Sequence, residues 1–542
     1  MSADSPSVVR RFTSWSLSSL AAWYQRSPSI VVAVAAAVLS LLAFAWFSPY
    51  SLTNNYVNSI SHINIARKIV DTSGSDLWQR YIQLGSPWLP LPHVLMLPFV
   101  ANDFLWRSAV AGSIVSMLSY VAMAVAFYKL ASLFYREEPQ KPQLTLLSLS
   151  IVLLNPNLLY LQTTGFAELP YMATLVVSLY MLQRWALAPR ASTLGAAGVL
   201  MSLATLTRYE AWSVLPFAAL LVVWLSPERG LRRLKHGLVW GALAAMGPLY
   251  WLWHNWAIFG NPLEFQSGQF SSQSFNARVL TELNLEWVRD YLANPIISAA
   301  WMSVAAAVCL GPLVFGFGVV GLILLVKHRR GSIKPYLPSL LLFVPFAFHV
   351  YGMTRLEVLV QPLSQYELGN VRYGLSHVMA AALVLPLVVL AWQRRTRRNV
   401  FVIVGLTILL QYAFMLRSGP AGLPVDLDGA QKLRHRKVED MARVKDFLRA
   451  HPADGQVLMC TTDLGAIVPQ AGLTFSQIIH EGTTEWHEVE RQLPPTVGMI
   501  VFSEGDWLWQ KLREVRELDQ QFQKAFATEI APQFQVWVRK RN

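Results

Sequence analysis

The chain of 542 residues is 54% hydrophobic and only 14% charged, against roughly 25% charged in soluble domains, which excludes an ordinary soluble enzyme. A net charge of +13 invites a nucleic-acid reading, but the Lys/Arg clusters sit between apolar runs, so no nucleic-acid partner is expected. Two cysteines, Cys309 within an apolar run and Cys460 far from it, leave no disulfide framework and no cysteine metal centre.

Windows of about 20 nearly charge-free residues, the length that crosses a hydrocarbon core, recur along the chain. They fall at 29–48, 105–131, 143–160, 168–186, 192–207, 212–225, 237–256, 298–326, 335–352, 375–392 and 399–416. The fold class predicted is mainly α, a polytopic membrane protein with about eleven transmembrane helices. Arg10, Arg11 and Arg26 precede the first run, which is long and has no small-residue cleavage pattern after it. A retained first helix with a cytoplasmic N-terminus is expected. Basic clusters at 136–141, 184–190, 229–235, 327–334 and 394–398 then share the cytoplasmic side, as positive-inside bias requires. The outer side receives the loop at about 48–104, Thr163–Glu168, Arg208–Trp212, the segments 260–294 and 355–376, and the C-terminal tail. The expected location is a multi-pass protein of the cytoplasmic (inner) membrane.

From about residue 425 the composition becomes that of a soluble domain. Val438–Ala450 has the spacing of an amphipathic helix, and Gln456–Cys460, Val497–Phe502 and Gln533–Val538 alternate like strands. The organisation expected is a membrane domain over 1–424 and a small extracytoplasmic α/β domain over 425–542.

The chemistry gathers on the outer face. In the first outer loop His62, Ala66 and Ile69 recur at helical spacing, predicting an amphipathic surface helix that turns His62 and Arg67 toward a polar phase. Arginine suits phosphate because its planar fork binds oxygens in pairs and stays charged. Further along, Gln83-Leu-Gly-Ser-Pro-Trp88-Leu-Pro-Leu-Pro-His93 offers an aromatic face and an imidazole suited to a sugar. Interfacial anchoring is the plain alternative for each of these residues. Glu168 stands at the outer end of a hairpin, and Arg208, Tyr209 and Glu210 at the turn between two apolar helices. Arg355, Arg372 and Tyr373 precede the tenth run. Outer arginines at helix ends run against positive-inside bias, which makes them candidate phosphate ligands. No HExxH or Cys/His cluster occurs, and no metal and no resident cofactor is expected.

The Ala66-Arg67 pair, the Trp88–His93 segment, Asn155-Pro156-Asn157, Thr163–Glu168, Thr207–Trp212, the 253–265 stretch WHNWAIFGNPLEF and Asn370–Gly374 occur in an order that resembles the GT-C superfamily. The closest resemblance is to its protein O-mannosyltransferase branch, related to the lipid A aminoarabinose transferases. The resemblance implies a membrane glycosyltransferase, metal-independent, whose substrate is a polyprenyl-phosphate sugar and whose acceptor is a glycan, lipid or protein. It also implies a carboxylate in the first outer loop that takes the acceptor's proton, with cations that hold the departing phosphate. The position of that aspartate is Asn58 here, and an amide cannot act as a base; Asn54 and Asn55 offer no carboxylate either. Either another carboxylate, Glu168, Asp71 or Asp76, serves instead, or the alignment is shifted, or the chain is an impaired homologue that binds or translocates lipid-linked sugar without transferring it. Donor-phosphate ligands are then Arg67, Arg208, Arg372 and Arg355. Sugar or acceptor contacts are His62, Trp88, His93, Tyr209, Glu210 and Tyr373.

Overall fold

The computed structural model describes residues 26–50, 57–72, 76–282, 284–328, 336–364, 367–419, 422–423, 437–489, 491–513, 515, 518–529 and 533–540. Arg10, Arg11, Asn54, Asn55, part of the 327–334 basic cluster and the boundary near 425 lie outside these residues.

In hydrocarbon a backbone group must find its partner within its own segment, so the apolar windows fold as helices. Five of them are long and apolar enough to cross a membrane: Pro28–Phe47, Val110–Phe134, Leu337–Thr354, Val371–Leu390 and Arg397–Met415. Glu168–Leu187 and Arg232–Phe259 are also long but carry polar side chains along their length. Lys141–Leu153, Ala191–Thr205 and Glu210–Leu225 are shorter.

The window 298–326 is not one straight span. It forms two helices, Pro295–Leu310 and Pro312–His328, bent by 117° about Gly311. Gly311 takes φ 88°, a conformation glycine adopts without strain, and Pro312 has no N–H to continue a helix. Gln411 repairs the break. Its Nε2 donates to Leu310 O at 3.2 Å and its Oε1 accepts Leu313 N–H at 2.6 Å. The window 143–160 also breaks, at Asn155, which caps the short Pro156–Leu161 helix by accepting Leu158 N–H at 3.0 Å. Asn155 and Asn157 both donate to Cys309 O, at 3.1 and 3.0 Å. The Asn-Pro-Asn motif therefore ties one helix break to the other.

Small residues let backbones meet where side chains would hold them apart. A Cβ on Gly112 would lie 2.5 Å from the Gly165 Cα, and both glycines face Ile63 of the outer loop. The Val110–Phe134 helix, the Thr163–Glu168 hairpin and the loop helix Val57–Asp71 thus pack at backbone distance. Ser59 Oγ joins them by accepting Gly165 N–H at 2.7 Å.

The C-terminal part folds around a five-stranded sheet in the spatial order Ile478–Ile479, Gln456–Met459, Val497–Ser503, Phe534–Arg539, Phe522–Ala527. The first three strands run parallel and the last two antiparallel. Successive side chains of a strand point to opposite faces, and the two faces have different partners. Val457, Met459, Met499 and Val501 share a core with Ile63, Ala66, Met96, Val100 and Trp106 of the outer loop. Leu458, Cys460, Ile500 and Phe502 pack instead with Trp486, Leu508 and Leu512. The sheet and the first outer loop are therefore two halves of one core.

Polar contacts fix their register. Asn64 Nδ2 donates to Gly465 O at 2.8 Å, Gln83 Nε2 to Gly482 O at 2.9 Å and Arg107 Nη1 to Pro469 O at 2.9 Å. Lys68 Nζ lies 3.2 Å from Glu481 Oε1, with side chains only 10% and 13% exposed. Burial opposes charge on Glu481, but Lys68 and the Thr461 hydroxyl outweigh it and hold the carboxyl at about 2.

A folded-state value below the ordinary 4.5 gives stability that is complete above 4.5 and lost as pH falls toward 2. The unfolding midpoint of the detergent-solubilised protein should drop across that interval, and Glu481→Gln should flatten this part of the profile. Gly112→Leu should destabilise by about 1–3 kcal/mol, the range for overpacking, read as a lowered midpoint at neutral pH.

Candidate functional site

Three turns and one loop helix meet at one end of the bundle. Glu168 is the first residue of the Glu168–Leu187 helix, and Glu210 the first of Glu210–Leu225, where a helix N-terminus favours negative charge. Arg208 lies in the turn before Glu210. Arg372 lies in the 3-10 turn Val371–His377, entered through Asn370 at φ 55°, a left-handed conformation that asparagine tolerates better than most residues. Gly374 seats that turn against the Ala305 backbone, where a Cβ would not fit.

The four charged side chains then converge. Arg208 Nη1 lies 2.9 Å from Glu168 Oε1, and Arg372 Nε reaches the same oxygen at 3.2 Å. Arg208 Nη2 is 2.6 Å from Glu210 Oε1, which also meets His349 Nε2 at 3.1 Å. Both guanidiniums lie over the Tyr373 ring, at 5.4 and 5.2 Å, and Arg372 also over Phe166 at 4.8 Å. All four charged groups are largely withdrawn from solvent, and Glu168 is 1% exposed. Such charges are tolerable only when paired, and among the described residues two cations face two anions here. Glu168 Oε2 is buried without a hydrogen-bond partner among the described residues.

The outer loop supplies a second group. His62 Nδ1 and His93 Nε2 are 2.8 Å apart, and His62 is stacked on Trp88 at 4.4 Å. Burial first, then the charges of Arg208 and Arg372, lower His62 from 6.5 to about 3. Burial and His62 likewise hold His93 well below its ordinary value. Asn58 is half-buried on the same helix, one turn before His62. Tyr209 Oη donates to Pro87 O at 3.0 Å and accepts Trp251 Nε1–H at 2.9 Å, which fastens the Pro-rich segment to the bundle. His254 does the same one turn on. Its Nε2 meets Gly85 O at 2.8 Å, so that nitrogen carries the hydrogen, and its Nδ1 accepts from Tyr81 Oη at 2.8 Å.

Of the residues singled out from sequence, Glu168, Arg208, Glu210, Arg372 and Tyr373 come together, with His62 within reach of their charges. Arg67 and Asp71 are engaged elsewhere. Arg67 pairs with Asp71 and Asp103, each at 2.6 Å, donates to Val100 O and lies over Trp106, while Asp71 Oδ2 accepts Phe475 N–H at 2.9 Å. Arg67 braces the loop segment internally, and Asp71 joins it to the C-terminal part. Asp76 caps a short helix by accepting Trp78 N–H at 2.8 Å. Arg355 is exposed and paired with Glu357 at 3.1 Å. Two side chains of the cluster were not anticipated as a pair. His349 and His377 lie 3.4 Å apart and extend the chain from Glu210, though His377 stands only five positions after Arg372.

ArnT from Cupriavidus metallidurans, solved bound to undecaprenyl phosphate, matches with a TM-score of 0.50 at 12% identity, covering 94% of this chain and 98% of that one. An oligosaccharyltransferase from Archaeoglobus fulgidus, tethered to an acceptor peptide, is a weaker likeness, with a TM-score of 0.47 at 10% identity over 96% of this chain and 75% of that one. No family model and no curated protein matches the chain. The fold is that of ArnT.

Removing the shared carboxylate takes an anion from two buried guanidiniums and leaves Glu210 facing Arg208. Glu168→Leu should lower stability by about 3–5 kcal/mol, the usual result of breaking a buried pair from one side. Glu168→Gln, whose amide oxygen still accepts hydrogen bonds, should lose less; thermal unfolding in detergent separates the two.

Proposed function

We propose that the chain is a glycosyltransferase that moves a sugar from a polyprenyl-phosphate donor to a hydroxyl-bearing glycan, lipid or protein at the outer face of the cytoplasmic membrane. The observation that carries this reading is the convergence of Arg208 and Arg372 on one carboxylate oxygen. Two guanidiniums brought from separate turns to one oxyanion are already spaced for a second one, the phosphate of the donor. About eleven crossings, with the N-terminus in the cytoplasm, would put this end of the bundle and the C-terminal domain outside. No metal or cofactor has a part in the reading.

The chemistry follows from charge. As the bond from C1 to the phosphate oxygen breaks, its electron pair goes to the phosphate, which gains a negative charge; the acceptor oxygen forms the new bond to C1, and its proton passes through water to the departing phosphate monoester, whose second ionisation lies at about 6. Arg208 and Arg372 stabilise the growing charge on the phosphate more than the ground state, which is what lowers a barrier. Glu168 is the counter-ion that keeps the guanidiniums together until the phosphate arrives. Asn58 holds the acceptor hydroxyl, and Trp88 and Tyr209 border the sugar.

A second reading rests on Asn58 itself: without the expected carboxylate the chain would bind lipid-linked sugar and not transfer it. Purified protein incubated with polyprenyl-phosphate sugars distinguishes the two. Transfer predicts consumption of donor, with Arg372→Ala reducing kcat/KM by roughly 10- to 100-fold, the size of a lost hydrogen bond to a charged group. Donor that is bound but never consumed by the wild type, with activity gained in Asn58→Asp, would overturn the transferase reading in favour of the second.

A further inference from the structure

The His62–His93 pair has no part in the chemistry above, and one atom of it decides its protonation. His93 is fully buried, and its Nδ1 has no hydrogen-bond partner among the described residues. The 2.8 Å contact between His62 Nδ1 and His93 Nε2 needs one hydrogen between them. Were it on His62, His93 would carry its own hydrogen on Nδ1, a buried N–H with no acceptor. Were it on His93 Nε2, the Nδ1 atom would be only an unused lone pair. Buried orphan donors are the rarer defect in folded proteins. His93 therefore donates to His62 Nδ1, and a neutral His62 carries its single hydrogen on Nε2.

Burial keeps His62 neutral, and the charges of Arg208 and Arg372 act in the same direction, with His93 as its titratable neighbour. Stacking on Trp88 fixes the plane of the ring, and the bond from His93 fixes its rotation. Packing sets the ring close to the arginine turns: Trp88 follows Pro87, which Tyr209 holds next to Arg208, and Ile63 lies against Gly165, next to the Phe166 ring that Arg372 covers. What remains is one N–H of set direction on that helix.

We propose that His62 Nε2–H is a third donor of the anion site formed by Arg208 and Arg372, a neutral hydrogen bond to the phosphate of the lipid carrier, with His93 as its positioning residue. The assignment rests on the reading of those arginines as phosphate ligands. A neutral donor suits this place. Two guanidiniums are already buried here, so a third cation would add to their repulsion and to the cost of burying charge, whereas an imidazole N–H adds to oxyanion binding without a charge.

The test is titration of the full-length protein in detergent with undecaprenyl phosphate, read by native mass spectrometry. His62→Ala should weaken binding by about tenfold or more, as for one hydrogen bond to a charged acceptor. His62→Gln, which keeps an N–H donor, should recover most of it, a recovery that a merely packing role for the ring would not give. His93→Leu should fall between the two, with the unfolding midpoint checked for each variant. Equal binding by wild type and a folded His62→Ala overturns the inference and leaves the transferase reading standing. No binding by the wild type itself removes the reading on which the inference rests. Binding by the wild type without donor consumption overturns transfer alone and leaves the anion site intact.

Discussion

One carboxylate oxygen shared by two guanidiniums holds this end of the molecule together. Glu168 and Arg372 are 204 positions apart in the chain, and Arg208 reaches the same atom from a third segment. In an apolar bundle an unpaired charge is untenable, so the three turns can occupy only positions that keep the ions in contact. The rest of the architecture serves that requirement. Asn370 turns left-handed to deliver Arg372, Gly374 lets the turn sink against Ala305, and Gly165 lets the hairpin before Glu168 lie against Gly112. Rigidity at such positions makes the cluster a fixed arrangement rather than a loose group of long side chains, and on the proposed reading such fixed charges are what stabilise developing charge.

The first outer loop cannot hold its own shape. Its helices expose an apolar face toward the C-terminal sheet, and that sheet's alternate residues Val457, Met459, Met499 and Val501 complete the core. The soluble domain is thus a structural half of the loop that carries Asn58, His62 and Trp88. The buried Lys68–Glu481 pair reads the same way. As a source of net stability such a pair is modest; as a fixed point of register between two segments 413 positions apart, it constrains where the loop helix sits.

Much of this was legible in the sequence, and the exceptions have physical causes. Hydropathy windows report apolar length, so they found the helices but passed over the breaks at Gly311-Pro312, where Gln411 from another helix repairs the backbone, and at Asn155-Pro156, where the Asn155 side chain caps the helix that follows. The strands at Gln456–Met459, Val497–Ser503 and Phe534–Arg539 were visible because they are apolar. Ile478–Ile479 is too short to show a period, and Phe522–Ala527 is an edge strand with several exposed residues. Outer arginines at helix ends singled out Arg208 and Arg372, which the structure brings to one carboxylate, and Arg355, which is exposed and paired with Glu357. Arg67 was singled out by its place on the loop helix, where a neighbouring acid at i+4 was the signal of an intrahelical pair. Pairs such as Lys68 with Glu481 or His62 with His93 depend on tertiary packing and leave no periodic trace.

Asn58 remains the residue on which the proposed activity turns, and the charge balance bears on it. Two carboxylates already face the guanidiniums, and an aspartate on the His62 face of the loop helix would add another negative charge, opposing entry of an anionic donor. Asparagine keeps the hydrogen-bonding oxygen and omits the charge. The loss of a base is less severe than for an attack on a carbonyl, because a glycosyl transition state is oxocarbenium-like and draws the nucleophile in before its proton must leave. The departing lipid phosphate is itself a stronger proton acceptor than the diester it came from, its second ionisation lying near 6. On the proposed reading, an anion site built from Arg208, Arg372 and a neutral imidazole holds that phosphate on the side of C1 from which the electron pair departs. The binding of the leaving group, more than the activation of the acceptor, is then where this chain concentrates its chemistry.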